Sequence, residues 1–138
     1  MPELARIEAV VFLQSVDLFS HCRAEEVLRI AAISDEESFG PGDEIYRVDD
    51  PATALYCVVR GGVRLEHDGS EAETVGPLQT FGVLEILSGR LRTERAVAQG
   101  ETLVLRVRAD DLFDLLANNI EIVRALFRHV ILRFQDTH

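Results

Sequence analysis

The chain has 138 residues, 47% of them hydrophobic, enough for one domain with its own core and too few for two ordinary ones. Its 24 acidic and 14 basic residues give a formal net charge of −10, and every basic residue is Arg. That balance excludes general nucleic-acid binding, which neutralises phosphates with basic side chains, so this domain alone is expected to bind no DNA.

Leu4 to Val16 reads as a helix on the apolar stripe Leu4, Ile7, Val10 and Val11. Ala24 to Ile33 reads as a second, with Val27, Leu28, Ala31 and Ala32 as its buried stripe. From Glu36 the periodicity changes. Gly40-Pro41-Gly42-Asp43 is a turn, because Gly supplies positive φ and Pro fixes its own. Glu44-Ile45-Tyr46 follows as a strand, and Asp49-Asp50-Pro51 turns again. Ala54 to Arg60 is a mostly apolar strand, and Gly61-Gly62 signals a tight hairpin. Val63 to His67 alternates apolar and polar, as a half-buried strand should.

After a turn at Asp68-Gly69-Ser70, short strands are expected at Glu73 to Val75, near Thr80, at Arg92 to Ala98 and at Thr102 to Val107. The chain is helical again from Ala109, where Asp110 and Asp111 suit the partial positive charge of a first turn. Short strands at such spacing, divided by turn signals, point to an antiparallel sandwich or barrel. The expected architecture is one α+β domain over residues 1–138. Helices occupy 4–33, an antiparallel β-roll (a double-stranded β-helix or jelly-roll barrel) occupies 36–107, and C-terminal helices occupy 109–135.

In the last helix Ile120, Val123, Phe127, Val130 and Phe134 recur at spacings of three and four, with Leu126 and Ile131 widening the stripe. Two readings stand side by side: the helix packs on its own barrel, or its outer stripe is a homodimer seam. No apolar run approaches a membrane span, and the N-terminus lacks a signal-peptide pattern, so no membrane partner and a cytoplasmic location are expected. HExxH, GxSxG and P-loop patterns are absent, and His21, His67, His129 and His138 form no H-x-H pair. Neither catalysis nor a metal is expected. Cys22 and Cys57 read as buried free thiols.

The stretch from Phe81 to Ala98 carries the chemistry. It holds a Gly-bearing turn, a short apolar run, a second Gly, the arginines 90, 92 and 95, and a strand-like end. Backbone N–H groups after Gly82, at the start of a short helix, form an anion site. Arg92 offers a forked, charged donor to a phosphate, or forms a surface ion pair.

Three further segments join it: Phe12 to Phe19, Phe39 to Tyr46, and Ala54 to Val63. Together they resemble the cyclic nucleotide-binding domain, the sensor module of catabolite-activator-type regulators and of kinase A regulatory subunits. The likeness covers nearly the whole chain. It implies a cyclic nucleotide (cAMP or cGMP) as ligand, no other cofactor, and a site at Phe81, Gly82, Val83, Leu84, Arg92 and Thr93. It also implies that the C-terminal helices carry the signal outward.

The family's cassette runs approximately F-G-E-L-A-L, a short loop, then P-R-[ST]-A. Here Val83 stands where the family's Glu accepts from the ribose hydroxyl, Glu85 and Glu94 stand at Ala positions, and Leu91 replaces Pro. Losing a charge-assisted hydrogen bond costs about 1.5–3 kcal/mol, or roughly ten- to a hundredfold in affinity. If the strand has begun by Arg92, period-two alternation puts Glu94 on the same face. Glu94 then repels a ligand phosphate or pairs with Arg92; alternatively it turns to solvent or pairs with Arg90 or Arg95. Glu85 is expected to be solvated. Two functions follow: a regulatory module with weak or altered nucleotide binding, or a degenerate, ligand-free dimerisation or docking domain of a larger protein.

Overall fold

The computed structural model describes residues 4–67 and 70–136, and the side chains among them apart from those of 70–72 and 133–136. Two helices open the chain, α1 (Arg6–Gln14) and α2 (Ala24–Ala32). Each begins where a Glu three residues on reaches back to a free backbone donor. Glu8 Oε1 accepts from the Ala5 N–H at 3.0 Å, and Glu26 Oε1 accepts from the Arg23 N–H at 2.7 Å. A 3-10 turn between them, Asp17–Phe19, drives Leu18 and Phe19 into the core.

Eight strands follow: β1 (Ser34–Phe39), β2 (Glu44–Tyr46), β3 (Ala54–Arg60), β4 (Val63–His67), β5 (Ser70–Val75), β6 (Thr80–Phe81), β7 (Arg95–Ala98) and β8 (Thr102–Arg108). They form two antiparallel four-stranded sheets, ordered β1-β8-β3-β6 and β2-β7-β4-β5. The roll expected from turn spacing is therefore present. Asp68 and Gly69, read as a turn, lie outside the described residues.

Strand β3 is apolar on both faces because both are covered. Leu55 and Cys57 point to a cluster that includes Leu13, Phe19, Val27, Ile30 and Ile122 from the helices. Tyr56 and Val58 point the other way, into a cluster between the sheets with Tyr46, Val63, Phe81 and Val104. One strand thus ties the helical layer to the roll through the two-residue side-chain period.

Several features depart from the sequence reading, among them Leu28, which was expected in the buried stripe of α2 and is 50% exposed. β1 was not anticipated, since Ser-Asp-Glu-Glu-Ser-Phe has poor strand propensity. Its neighbour β8 supplies the compensation: Arg106 Nη1 donates to Glu37 Oε2 at 3.1 Å, and Arg108 Nη1 lies 3.4 Å from Asp35 Oδ2. Cross-strand charge pairing overrides local preference there. The strand expected from Arg92 begins only at Arg95. The Arg92 backbone instead pairs with the loop after β2, receiving from Asp49 N–H at 2.8 Å and donating to Asp50 O at 2.9 Å.

The C-terminal helices are α4 (Ala109–Ala117) and α5 (Ile120–Asp136). They part at Asn118-Asn119, whose side-chain amides donate to the freed carbonyls of Asp114 and Leu115. Ile122, Ala125 and Leu126 of α5 pack inward, so Leu126 does not widen an outer seam. Ile120, Phe127 and Ile131 are exposed, while Val123 and Val130 are half-buried; the Phe134 side chain lies outside the described residues. Among the described residues no helix is long and apolar enough to cross a membrane.

Candidate functional site: the cassette around Arg92

The site is built from the end of β6, a short helix and the loop before β7. Phe81 closes β6 and stacks on Tyr56 with ring centroids 5.0 Å apart. Gly82 then takes φ 79°, a left-handed conformation that launches α3 (Val83–Ser88), and Gly89 ends it in the same region at φ 69°. Within α3, Glu85 and Ile86 turn inward while Leu84 and Leu87 face solvent.

Arg92 is buried to 2% exposure, among the largest fully buried side chains of the described residues. Its guanidinium carbon sits 4.1 Å from the Tyr46 ring centroid, a cation–π contact. Nη1 donates to Gly82 O at 2.8 Å and to Glu85 Oε1 at 3.1 Å, and Nη2 donates to Ala54 O. Thr93 Oγ1 donates to the other Glu85 oxygen at 3.2 Å. One carboxylate on α3 thus collects the arginine and the threonine that the resemblance assigns to a ligand.

Glu85 is accordingly not solvated. It is 8% exposed, because its place on the inner face of α3 aims it at Arg92 beneath the Gly82 carbonyl. Glu94 does not pair with Arg92 or Arg95. Arg95 donates instead to Glu44 at 2.5 Å and to Glu66 at 2.7 Å, which hold both of those carboxyls below their usual range. Glu94 is half-buried, and burial together with the Glu85 and Glu73 carboxylates raises its carboxyl above the ordinary range. Burial likewise pushes the Tyr46 phenol up, against the opposing pull of Arg92.

A cavity of about 300 Å³ lies over this cassette. Tyr46, Phe81 and Val83 give it apolar walls, and Glu73, Glu85 and Glu94 bring carboxylates to its surface. His129 and Val130 of α5 close one side. Of the residues singled out from sequence, Phe81, Gly82, Val83 and Leu84 line it, while Arg92 is not among its lining residues. Thr93 is half-buried and turned to Glu85. Sequence reasoning missed Tyr46 as the arginine's platform and Glu85 as its partner. The one available signal for Glu85 was an acidic residue at an inward position of a short apolar helix.

Cys22 and Cys57 are both free; burial and the Glu26 carboxylate push the Cys22 thiol up to about 11. Among the described residues no group of three or more His, Cys, Asp or Glu side chains is arranged to hold a metal ion.

Comparison with known proteins fits this geometry. The family model described as "Cyclic nucleotide-binding domain" matches residues 36–119. A provisionally named potassium channel protein of Rhodopseudomonas palustris is 28% identical over 114 residues, covering 80% of this chain and 28% of the relative. Neuropathy target esterase sws of Drosophila melanogaster is 23% identical over 142 residues, covering 93% of this chain and 10% of that protein. The chain therefore spans only a minor part of the curated relatives it matches. Among solved structures, the N-terminal domain of a transcriptional regulator from Streptomyces coelicolor A3(2) superposes with a TM-score of 0.79 at 30% identity, over 92% of this chain and 94% of the other. The regulatory domain of Toxoplasma gondii PKA, crystallised with cAMP, shares the fold with a TM-score of 0.76 at 21% identity, over 87% of this chain and 48% of that one.

Proposed function

We propose that this chain, which belongs to the cyclic nucleotide-binding domain family, is a non-catalytic regulatory module with weakened nucleotide binding and output through its C-terminal helices. The observation that carries this reading is the cavity itself. Its lining joins the cassette residues Gly82 to Glu85 with His129 and Val130 of α5, so whatever occupies it touches the helix that would transmit the signal. The same lining accounts for weak binding. Val83 offers no acceptor to a ribose hydroxyl, and Glu73, Glu85 and Glu94 oppose an entering phosphate. The site residues remain Phe81, Gly82, Val83, Leu84, Arg92 and Thr93, with Tyr46 and Glu85 added as their supports.

Titration calorimetry with cAMP and with cGMP tests the reading. Micromolar or weaker binding to either is the expected result, and nanomolar affinity overturns it. Replacing Val83 by Glu together with Glu94→Ala should tighten cAMP binding by about tenfold or more, the worth of one regained charge-assisted hydrogen bond.

A second reading is favoured by the engaged Arg92 and by the exposed α5 side chains Ile120 and Phe127. In it the module is a ligand-free dimerisation or docking unit of a larger protein. Absence of heat with both nucleotides, joined to a stable dimer, would select it.

A further inference from the structure

We infer that Glu85 is a built-in, covalently tethered substitute for the ligand's anion, and that it sets the anion selectivity of this cassette. The inference rests on the cassette being the ligand site, and concerns what its arginine binds.

Three observations carry it. Arg92 turns its two terminal nitrogens inward: Gly82 O and Glu85 Oε1 accept from Nη1, Ala54 O accepts from Nη2, and Tyr46 covers its face, while the buried Nε has no hydrogen-bond partner among the described residues. Glu85 spans both polar side chains of the loop, holding Arg92 with one oxygen and Thr93 with the other. Finally, Glu85 borders the cavity whereas Arg92 is not among its lining residues. The carboxylate therefore stands between the cation and the space from which an oxyanion would come. An entering phosphate must expel a charge attached to the same helix, at an effective concentration that a free ligand does not match.

The consequence is a cassette closed on itself. Gly82, α3, β3 and β2 are drawn together by one guanidinium that the protein itself neutralises. Removing the Glu85 carboxylate while keeping Arg92 should leave a cradle open to the cavity, sized for a small oxyanion: acetate, inorganic phosphate, or the phosphate of cAMP.

The test compares the parent protein with Glu85→Ala, Glu85→Gln and Glu85→Ala/Arg92→Ala, by thermal unfolding in sodium acetate, sodium phosphate and sodium chloride of equal ionic strength. Glu85→Ala should melt below the parent in chloride and recover by about 4 °C or more in acetate or phosphate. The parent, the Gln variant (which fills the space without charge) and the double variant should show no such difference between salts. Calorimetry should show Glu85→Ala binding cAMP about ten- to a hundredfold more tightly than the parent. An Ala variant that responds to oxyanions no more than the parent overturns the inference. So does an Ala variant that refolds in none of the three salts while the Gln variant folds. Tight cAMP binding by the parent would instead strike the proposed function, so the two failures are separate.

Discussion

Glu85 on α3 and Arg92 in the loop beyond it meet at 3.1 Å, with side chains only 11% and 1% exposed. Two charges so enclosed are costly to separate, because whichever remains loses both its partner and its water. Arg92→Ala strands the Glu85 carboxylate, and should lower the free energy of unfolding by about 3–5 kcal/mol. Removing both side chains should cost less than the two single losses combined, with a coupling of about 0.5–3 kcal/mol. Urea unfolding of the four proteins in the cycle measures this. An Arg92→Ala loss below about 1 kcal/mol would place the pair among ordinary surface contacts.

Gly82 serves the same pair from the backbone side. At φ 79° any side chain is strained, and a Cβ there would lie 2.8 Å from Arg92 Nη1. Gly89, at the other end of α3, has φ 69° but nothing within 4 Å of its would-be Cβ. Both alanine substitutions carry the left-handed penalty of about 1–2 kcal/mol, and only Gly82→Ala must also displace the arginine. Denaturation midpoints should therefore separate the two, with Gly82→Ala lower. Equal losses would mean that the guanidinium shifts freely.

The roll and its two sheets were legible in the sequence because turn chemistry is local. Gly40-Pro41-Gly42-Asp43 leads into β2, and Gly61-Gly62 falls between β3 and β4; these three strands have the bounds read from the sequence. Strand β1 was not legible, since its partner in pairing, both backbone ladder and arginines, is β8 far along the chain. Of the candidate site, the sequence made a stretch of chain legible and not the pairing of its side chains. Phe81, Gly82, Val83 and Leu84 do border a cavity, but spacing cannot show that an acidic side chain seven residues before Arg92 turns inward to meet it. Glu94 looked the graver intruder because a strand was expected from Arg92, and the backbone pairing with Asp49 and Asp50 postpones that strand to Arg95.

Glu94 gives stability a pH dependence of its own. Burial, Glu85 and Glu73 raise its carboxyl above the value it has in the unfolded chain. The folded protein therefore takes up a proton there before the unfolded chain does, and the charged form weighs against folding at neutral pH. Glu94→Gln should raise the melting temperature slightly at pH 7. The gain should shrink as pH falls through the raised carboxyl and vanish below the ordinary carboxylate value of about 4.3. Melting curves of parent and variant between pH 4 and 7 read this directly. A gain that persists unchanged at low pH would assign it to packing and not to charge.

The outer face of α5 decides between a self-contained module and a paired one. Ile120, Phe127 and Ile131 are 67%, 63% and 53% exposed, while Ile122, Ala125 and Leu126 already supply the contacts to the domain's own core. A second copy packed on this face would bury side chains that the fold does not use. Phe127→Glu should then weaken self-association by about a hundredfold or more, as loss of a central aromatic anchor does, while leaving the monomer folded. Ile120→Glu should act in the same direction. Light scattering across a dilution series, with circular dichroism as the folding control, measures both. A parent protein that is monomeric throughout, or a Phe127→Glu variant that dimerises as before, would reject the seam and leave these side chains to a partner of another kind.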